Sequence, residues 1–337
     1  MSAKLSLIAR RVLKFFIVVI FLFPFLYLPV RGVLTQIRGL APKNRGAQKL
    51  TIINAHEHFQ SMECVPKFLE AMRRNDVVKT VILGSPEATI LTGRQGFFGE
   101  EKYNLEVLKI AATYPDHFIA FPTINVKDPA KLEKLKLYLG QGGKGLKLYS
   151  GHSLFHEWPL DDSSMMPVYA YCEQNRIPIL FHVNSGLYQK EFENVLSRFP
   201  GLRVICPHLC LASIETGRFE SLMDRHPALY TDISFGFMDF LKAGLLRISR
   251  DPDKYRALLT KYQDRIFFGT DMVITDAPHK TADWLSQVTR AYRDMLEKET
   301  YTFFAVEGMS LRGLHLDRPV LEKIYRKNFE RFFYGDS

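Results

Sequence analysis

From Leu50 onward the chain alternates short apolar runs with stretches whose apolar positions recur every three or four residues. The runs fall at Leu50–Ala55, Lys79–Ser85, Phe118–Asn125, Gly145–Ser150, Pro178–Val183, Arg203–His208, Leu229–Ser234 and Arg265–Asp271, each the length of a strand. Between them Val65–Asn75, Leu105–Tyr114, Ala130–Leu139, Met166–Asn175, Phe192–Phe199 and Ile214–Asp224 carry the helical period. Successive strand starts lie about 31 residues apart, the size of a βαβ unit. Eight such units predict an α/β fold, a single (β/α)8 TIM-like barrel over residues 50–337. Gly140-Gln-Gly-Gly-Lys-Gly145 lacks phosphate-loop spacing and reads as a helix-to-strand turn.

Residues 1–49 follow a different pattern. Phe15 to Val30 is an uninterrupted uncharged apolar segment containing Pro24 and Pro29, with no small-x-small cleavage site after it. It is expected to be an N-terminal membrane-anchor helix that is not cleaved, joined to the barrel by a basic linker. Four basic residues precede the segment and five follow it, so the charge count does not fix sidedness. A basic tail is hard to translocate, which favours the tail in the cytoplasm and the barrel on the extracytoplasmic side of the membrane.

Composition adds one exclusion. The formal net charge is +9, but Lys4, Arg10, Arg11, Lys14, Arg31, Arg38, Lys43, Arg45 and Lys49 all lie in a segment without an acid. Removing those nine from the 45 basic residues leaves 36 against 36 acidic ones, so the barrel carries no basic excess and nucleic acid is not an expected partner. Cys64, Cys172, Cys206 and Cys210 form no CxxC pair and read as small buried residues. A small-molecule substrate is the expected partner, and self-association stays open.

The chemistry gathers at the ends of the predicted strands, where such a barrel keeps its active site. His56 and His58 close the first run, and residues two apart on a strand point to one side. His182 ends the fifth, His208 the sixth and Asp271 the eighth. Four histidines and a carboxylate converging on one mouth suit a divalent ion, zinc above all, able to turn water into hydroxide near neutral pH. Three connections at the same mouth are longer than the fold requires: Pro86–Lys102, Gly151–Asp162 and the helical insert Phe235–Gln263. On them Arg94, His152 and Trp158, with Tyr149 at the end of the fourth strand, are candidate substrate contacts. Lys147 shares a strand face with Tyr149, opposite Leu146 and Leu148, so one of the two pairs points into the barrel. A buried lysine is expected to pair with an aspartate or glutamate.

The motifs Asn54-Ala-His-Glu-His-Phe, Gly145-Leu-Lys-Leu-Tyr, Ile177-Pro-Ile-Leu-Phe-His, Phe199-Pro-Gly-Leu-Arg-Val-Ile-Cys-Pro-His-Leu, Leu229-Tyr-Thr-Asp-Ile-Ser, Phe267-Phe-Gly-Thr-Asp and Ile324-Tyr-Arg-Lys-Asn-Phe-Glu-Arg-Phe-Phe occur in this order. In them the chain resembles the amidohydrolase superfamily, in the amidohydrolase-related branch that includes aminocarboxymuconate-semialdehyde decarboxylase and related metal-dependent hydrolases. The resemblance covers about residues 50–333. It implies metal ligation by His56, His58, His182 and Asp271, with His208 polarising the substrate or acting as acid and base, and Asp271 accepting the proton of the attacking water. It also admits a carboxylated Lys147 bridging a second metal ion. Cys210 and Met272-Val273 depart from residues often found in such relatives. Three functions follow as expectations: a membrane-anchored hydrolase of a C–N or C–O bond at a carbonyl, a decarboxylase of a carboxylate substrate, and a binding barrel without catalysis, which a complete ligand set disfavours.

Overall fold

The computed structural model describes residues 49–335 apart from Thr92. The expected membrane anchor lies outside the described residues, and among the described residues no helix is long and apolar enough to cross a membrane.

The barrel strands are β1 Ile52–Phe59, β2 Val77–Leu83, β3 Phe118–Phe121, β4 Leu146–Gly151, β5 Ile179–Val183, β6 Val204–Ile205, β7 Leu229–Asp232, β8 Ile266–Phe267 and β9 Met272–Ile274. They pair in parallel in the orders β3-β2-β1-β9 and β4-β5-β6-β7-β8. Two seams join the sheets into a closed barrel. At one, Thr123 bridges Lys147, whose N–H donates to the Pro122 carbonyl at 2.8 Å. At the other, Ala55 N–H donates to Phe268 O and Asp271 N–H to His56 O, each at 2.8 Å.

The eighth predicted strand, Arg265–Asp271, is therefore split. Its first part pairs with β7, and after Phe268–Asp271 the chain resumes as β9 against β1. Asp271 stands at φ 54°, in the left-handed region, which turns its side chain into the mouth. The sixth strand is also shorter than expected. Arg203–His208 keeps only Val204–Ile205 extended, because Pro207 begins a single turn in which His208, Leu209, Cys210 and Leu211 all take positive φ, 52° to 61°. β1 runs longer than predicted, so His56 and His58 lie inside a strand whose eight residues are all buried.

Inward-facing residues of the strands, among them Ile53, Val81, Phe121, Leu180 and Phe267, form the barrel interior together with Phe329 and Phe332 of the closing helix Asn328–Tyr334. That helix sits at the start of the strands: Asn328 Nδ2 donates to the carbonyls of Gln263 and Ile266. It seals the floor, and each buried phenylalanine contributes about 2 kcal/mol. The outer face of the sheet packs on Val65–Arg74, Lys131–Gly140, Met166–Gln174 and the other helices through a second core that holds Leu146 and Leu148. Lys147 and Tyr149 are therefore the pair that points inward. The insert after β7 forms two helices, Met238–Arg250 and Pro252–Lys261. Gly140–Gly145 is the expected turn, with Gly142 at φ 106° and Gly145 packed where a Cβ would strike the Phe121 ring. The four cysteines are free and buried.

Candidate metal centre

A register shift in β1 between Asn54 and Glu57 brings His56 and His58 onto the inner side that Ile53 and Ala55 occupy below them, and each ring is fixed through Nδ1. His56 Nδ1 lies 2.9 Å from Asp232 Oδ2 at the end of β7. A carboxylate can only accept, so Nδ1 carries the proton. His58 Nδ1 lies 2.7 Å from Ser85 Oγ, whose own hydrogen goes to the Leu83 carbonyl, so Nδ1 again donates. Tyr149 Oη braces the same corner, 3.2 Å from His58 Nδ1 and 3.1 Å from Ser85 Oγ. His208 Nδ1 donates to the Ser234 carbonyl at 3.1 Å, while Ser234 Oγ donates to Asp232 Oδ1 at 2.6 Å. As neutral rings, the three histidines thus each present an Nε2 lone pair.

All three lone pairs face one carboxylate. His56 Nε2 and His58 Nε2 stand 2.9 and 3.0 Å from Asp271 Oδ1, and His208 Nε2 stands 3.5 Å from Oδ2. Lone pairs directed at a carboxylate repel unless a proton or a metal ion lies between them. Donor atoms around tetrahedral zinc are roughly 3.3 Å apart, so the spacing fits an ion with little adjustment. Among the described residues two groups of donors are close enough to hold a cation, His56–His58–Asp271 and His56–His208–Asp232. The first contains three of the four ligands expected from the sequence. In the second Asp232 already accepts from His56 Nδ1 and the His208 backbone N–H, which is the role of a carboxylate that orients ligands from outside.

The electrostatics follow this arrangement. Burial opposes ionisation of Asp271, but His56, His58 and His208 outweigh it and hold the carboxyl well below its usual range. Burial likewise works against Asp232, and His56 and His208 reverse it. Burial lowers His58 to about 4 despite Asp271. For His56 the order is the opposite: burial lowers it, yet Asp271 and Asp232 win and hold it above its ordinary value.

Glu57, between the two histidines, faces the other way. Its carboxylate accepts from Asn54 Nδ2 at 2.6 Å, from Met272 N–H at 2.6 Å and from Thr270 Oγ1. Burial pushes its carboxyl well up, against three donors that favour the ionised form. Through the Thr270 hydroxyl and the Met272 N–H it grips the chain on both sides of Asp271. Gly236, at φ 76°, backs the same carboxylate: a Cβ there would lie 2.6 Å from Asp271 Oδ2.

A cavity of about 120 Å³ opens beside this group, with His58, Lys147, His152, His182 and Asp271 at its polar end and Ala88, Leu154, Phe155, Phe237 and Val273 among its other walls. His182 is in the wall and not in the tight donor group; its ring centre is 4.9 Å from His208 and 4.5 Å from His152. Burial holds it well below its ordinary value, so it is a neutral ring. Lys147 is fully buried with Nζ 3.5 Å from His56 Nε2. No carboxylate lies within 4.0 Å of it among the described residues, so the ion pair expected from the sequence is not formed. Burial lowers its ammonium to about 8. His152 lines the cavity and is also lowered to about 4 by burial. Arg94 and Trp158 are not part of the lining: Arg94 pairs with Glu87 at 3.1 Å in the loop after β2, and Trp158 is at the surface. Asp232, Ser85, Ser234 and Glu57 were not singled out in the sequence. The signal for Asp232 was its place at the end of a strand, the criterion that found His182 and His208.

The family model described as amidohydrolase matches residues 90–334. The chain belongs to that family, whose members are metal-dependent enzymes acting on small molecules. The match begins after β1, so His56 and His58 rest on the geometry just described. A search of the curated proteins finds no match. Among solved structures, an uncharacterized TIM-barrel protein from Bordetella bronchiseptica is 19% identical with a TM-score of 0.58, covering 85% of this chain and 99% of its own. A 4-oxalomesaconate hydratase from Rhodopseudomonas palustris is 17% identical with a TM-score of 0.54, covering 85% and 96%. A 2,6-dihydroxybenzoate decarboxylase from Rhizobium is 15% identical with a TM-score of 0.51, covering 86% and 100%. At these identities the likeness shows the fold.

Proposed function

We propose that the protein is a metal-dependent hydrolase that cleaves a C–N or C–O bond at a carbonyl centre in a small substrate. The observation that carries this reading is the convergence of three Nε2 lone pairs on the Asp271 carboxylate. His56, His58 and Asp271 would hold the ion, with His182 completing the set from the cavity wall, and zinc suits three imidazoles and a carboxylate. When bound, the ion would polarise the carbonyl and make water a nucleophile near neutral pH. Asp271, held ionised, accepts the proton of the attacking water. His208, its Nδ1 fixed by the Ser234 carbonyl, presents Nε2 to the scissile group 3.5 Å from Asp271 Oδ2, where it can take up the proton that Asp271 removes from water and hand it to the leaving atom. The apolar walls exclude bulk water from the acyl part of the substrate.

A second reading, decarboxylation, is supported by Lys147, an ammonium without a carboxylate partner that faces the cavity and could pair with a substrate carboxylate. The two are separated by one assay. Full-length protein loaded with zinc or manganese is offered esters, lactones, amides and aryl carboxylates, with acid release and carbon dioxide release followed in parallel. Acid release is expected; carbon dioxide release alone would replace the first reading by the second. We further propose that residues 1–49 tether the enzyme to a membrane, on the strength of the basic-flanked apolar segment Phe15–Val30.

A further inference from the structure

A second chamber adjoins the metal cavity at its apolar wall. Phe237, Asp271 and Val273 line the first and also line the second, of about 180 Å³, so Phe237 and Val273 are a partition between two neighbouring spaces. The second chamber is bounded further by Leu241 and by Trp284, and it contains Lys280. Lys280 Nζ donates to the Val273 carbonyl at 2.5 Å, which fixes the ammonium inside the chamber and leaves two of its hydrogens to offer. Among the described residues no carboxylate lies within 4.0 Å of it. Lys67, half-buried nearby with Nζ on the Thr275 carbonyl at 2.6 Å, adds a second positive charge and no counter-ion. Burial, followed by Lys67, depresses the Lys280 ammonium, as expected for a cation held without a partner.

We propose that this chamber is a substrate subsite that receives an apolar or aromatic arm ending in a carboxylate. The stem lies against Leu241 and Trp284, and the carboxylate pairs with Lys280. A partly desolvated ammonium pairs with an anion more strongly than an exposed one, so the charge on the arm becomes a criterion of selection. The proposal rests on the reading that the neighbouring cavity processes a carbonyl substrate, which would enter with its scissile group toward Asp271 and its arm past Phe237. The arm's carboxylate is distinct from the reacting centre and is retained in the product.

Binding can be read without turnover. The chain has two tryptophans, Trp158 and Trp284, so in a Trp158→Phe background the fluorescence reports Trp284 alone. Metal-loaded full-length protein is titrated with 3-phenylpropionate and with 3-phenylpropanamide. The carboxylate is expected to bind at least about tenfold more tightly than the amide, and Lys280→Met to remove that preference. Lys280→Arg, which keeps the charge, is expected to retain it; this guards against a loss caused by misfolding. Equal binding of acid and amide overturns the proposal, and so does a preference that survives Lys280→Met, which would place the carboxylate on the metal. If no carbonyl compound is turned over but the Lys280-dependent preference persists, the subsite stands and the hydrolase reading falls.

Discussion

At the residue scale the site depends on where a few side chains send their protons. The Nδ1 partners of His56, His58 and His208 leave Nε2 bare in all three. His58→Ala is expected to lower bound divalent metal from one per chain to a small fraction with far-ultraviolet circular dichroism unchanged, and His182→Ala to lower it as well. Full occupancy in both, by elemental analysis, would refute the ligand set. Gly236→Ala should act on the same quantity from the other side. Its methyl would meet the Asp271 carboxylate and its backbone would carry a left-handed strain of about 1–2 kcal/mol, so metal affinity should fall although no ligand is changed. Lys147 provides a pH test. Burial brings its folded value to about 8 from the ordinary 10.5 of a lysine, so between those values the unfolded chain binds more protons and stability rises with pH. The penalty, roughly 3 kcal/mol, is fully present below about pH 8 and fades above it. Urea denaturation of metal-free protein and of Lys147→Met should therefore diverge near neutral pH and converge toward pH 10. Curves that stay parallel would mean that the side chain is no simple amine, as carboxylation would make it.

At the scale of elements, the two interrupted strands are the features the sequence concealed. Periodicity placed all eight strand positions, because continuous apolar runs and their spacing record burial on both faces of a sheet. It could not register that Asp271 and His208–Leu211 leave extended geometry, since backbone sign is invisible in a hydrophobic pattern. Cys210, a departure from the resemblance, stands at a positive φ of 55°, a geometry its residue type does not announce. The same limit applies to the site. Histidines at strand ends were legible; Asp232 and Ser234 matter through hydrogen bonds across the mouth, and no local spacing announces those. Arg94 and Trp158 were legible as loop residues of suitable chemistry, but the loops turn them away from the cavity. Glu57 ties β1 to Thr270 and to Met272 of β9, and accepts a third bond from Asn54 in its own strand. Glu57→Ala would leave those donors unpaired in a buried seam, each costing about 1–3 kcal/mol. The expected result is a lower midpoint in urea together with weaker metal binding, whereas a loss of activity alone would limit Glu57 to the chemistry.

For the molecule as a whole, the proposed tether and the barrel should be separable. Deleting residues 1–38 is expected to release folded, metal-binding protein into the aqueous fraction. Retention on membranes after that deletion would place the lipid contact on the barrel. The placement of Glu57 also bears on how a finished molecule differs from a misfolded one. Three consecutive residues of β1 carry two histidines of the metal cluster on one side and, on the other, a closing contact of the barrel. A slip of one residue in β1 would exchange the two roles, sending the carboxylate into the cavity and the imidazoles into the seam, and neither could then be completed. Chains in the wrong register therefore cannot close the barrel and still display an imperfect active site. Closure itself proofreads the centre, so the population of closed barrels should be uniformly competent to bind the ion.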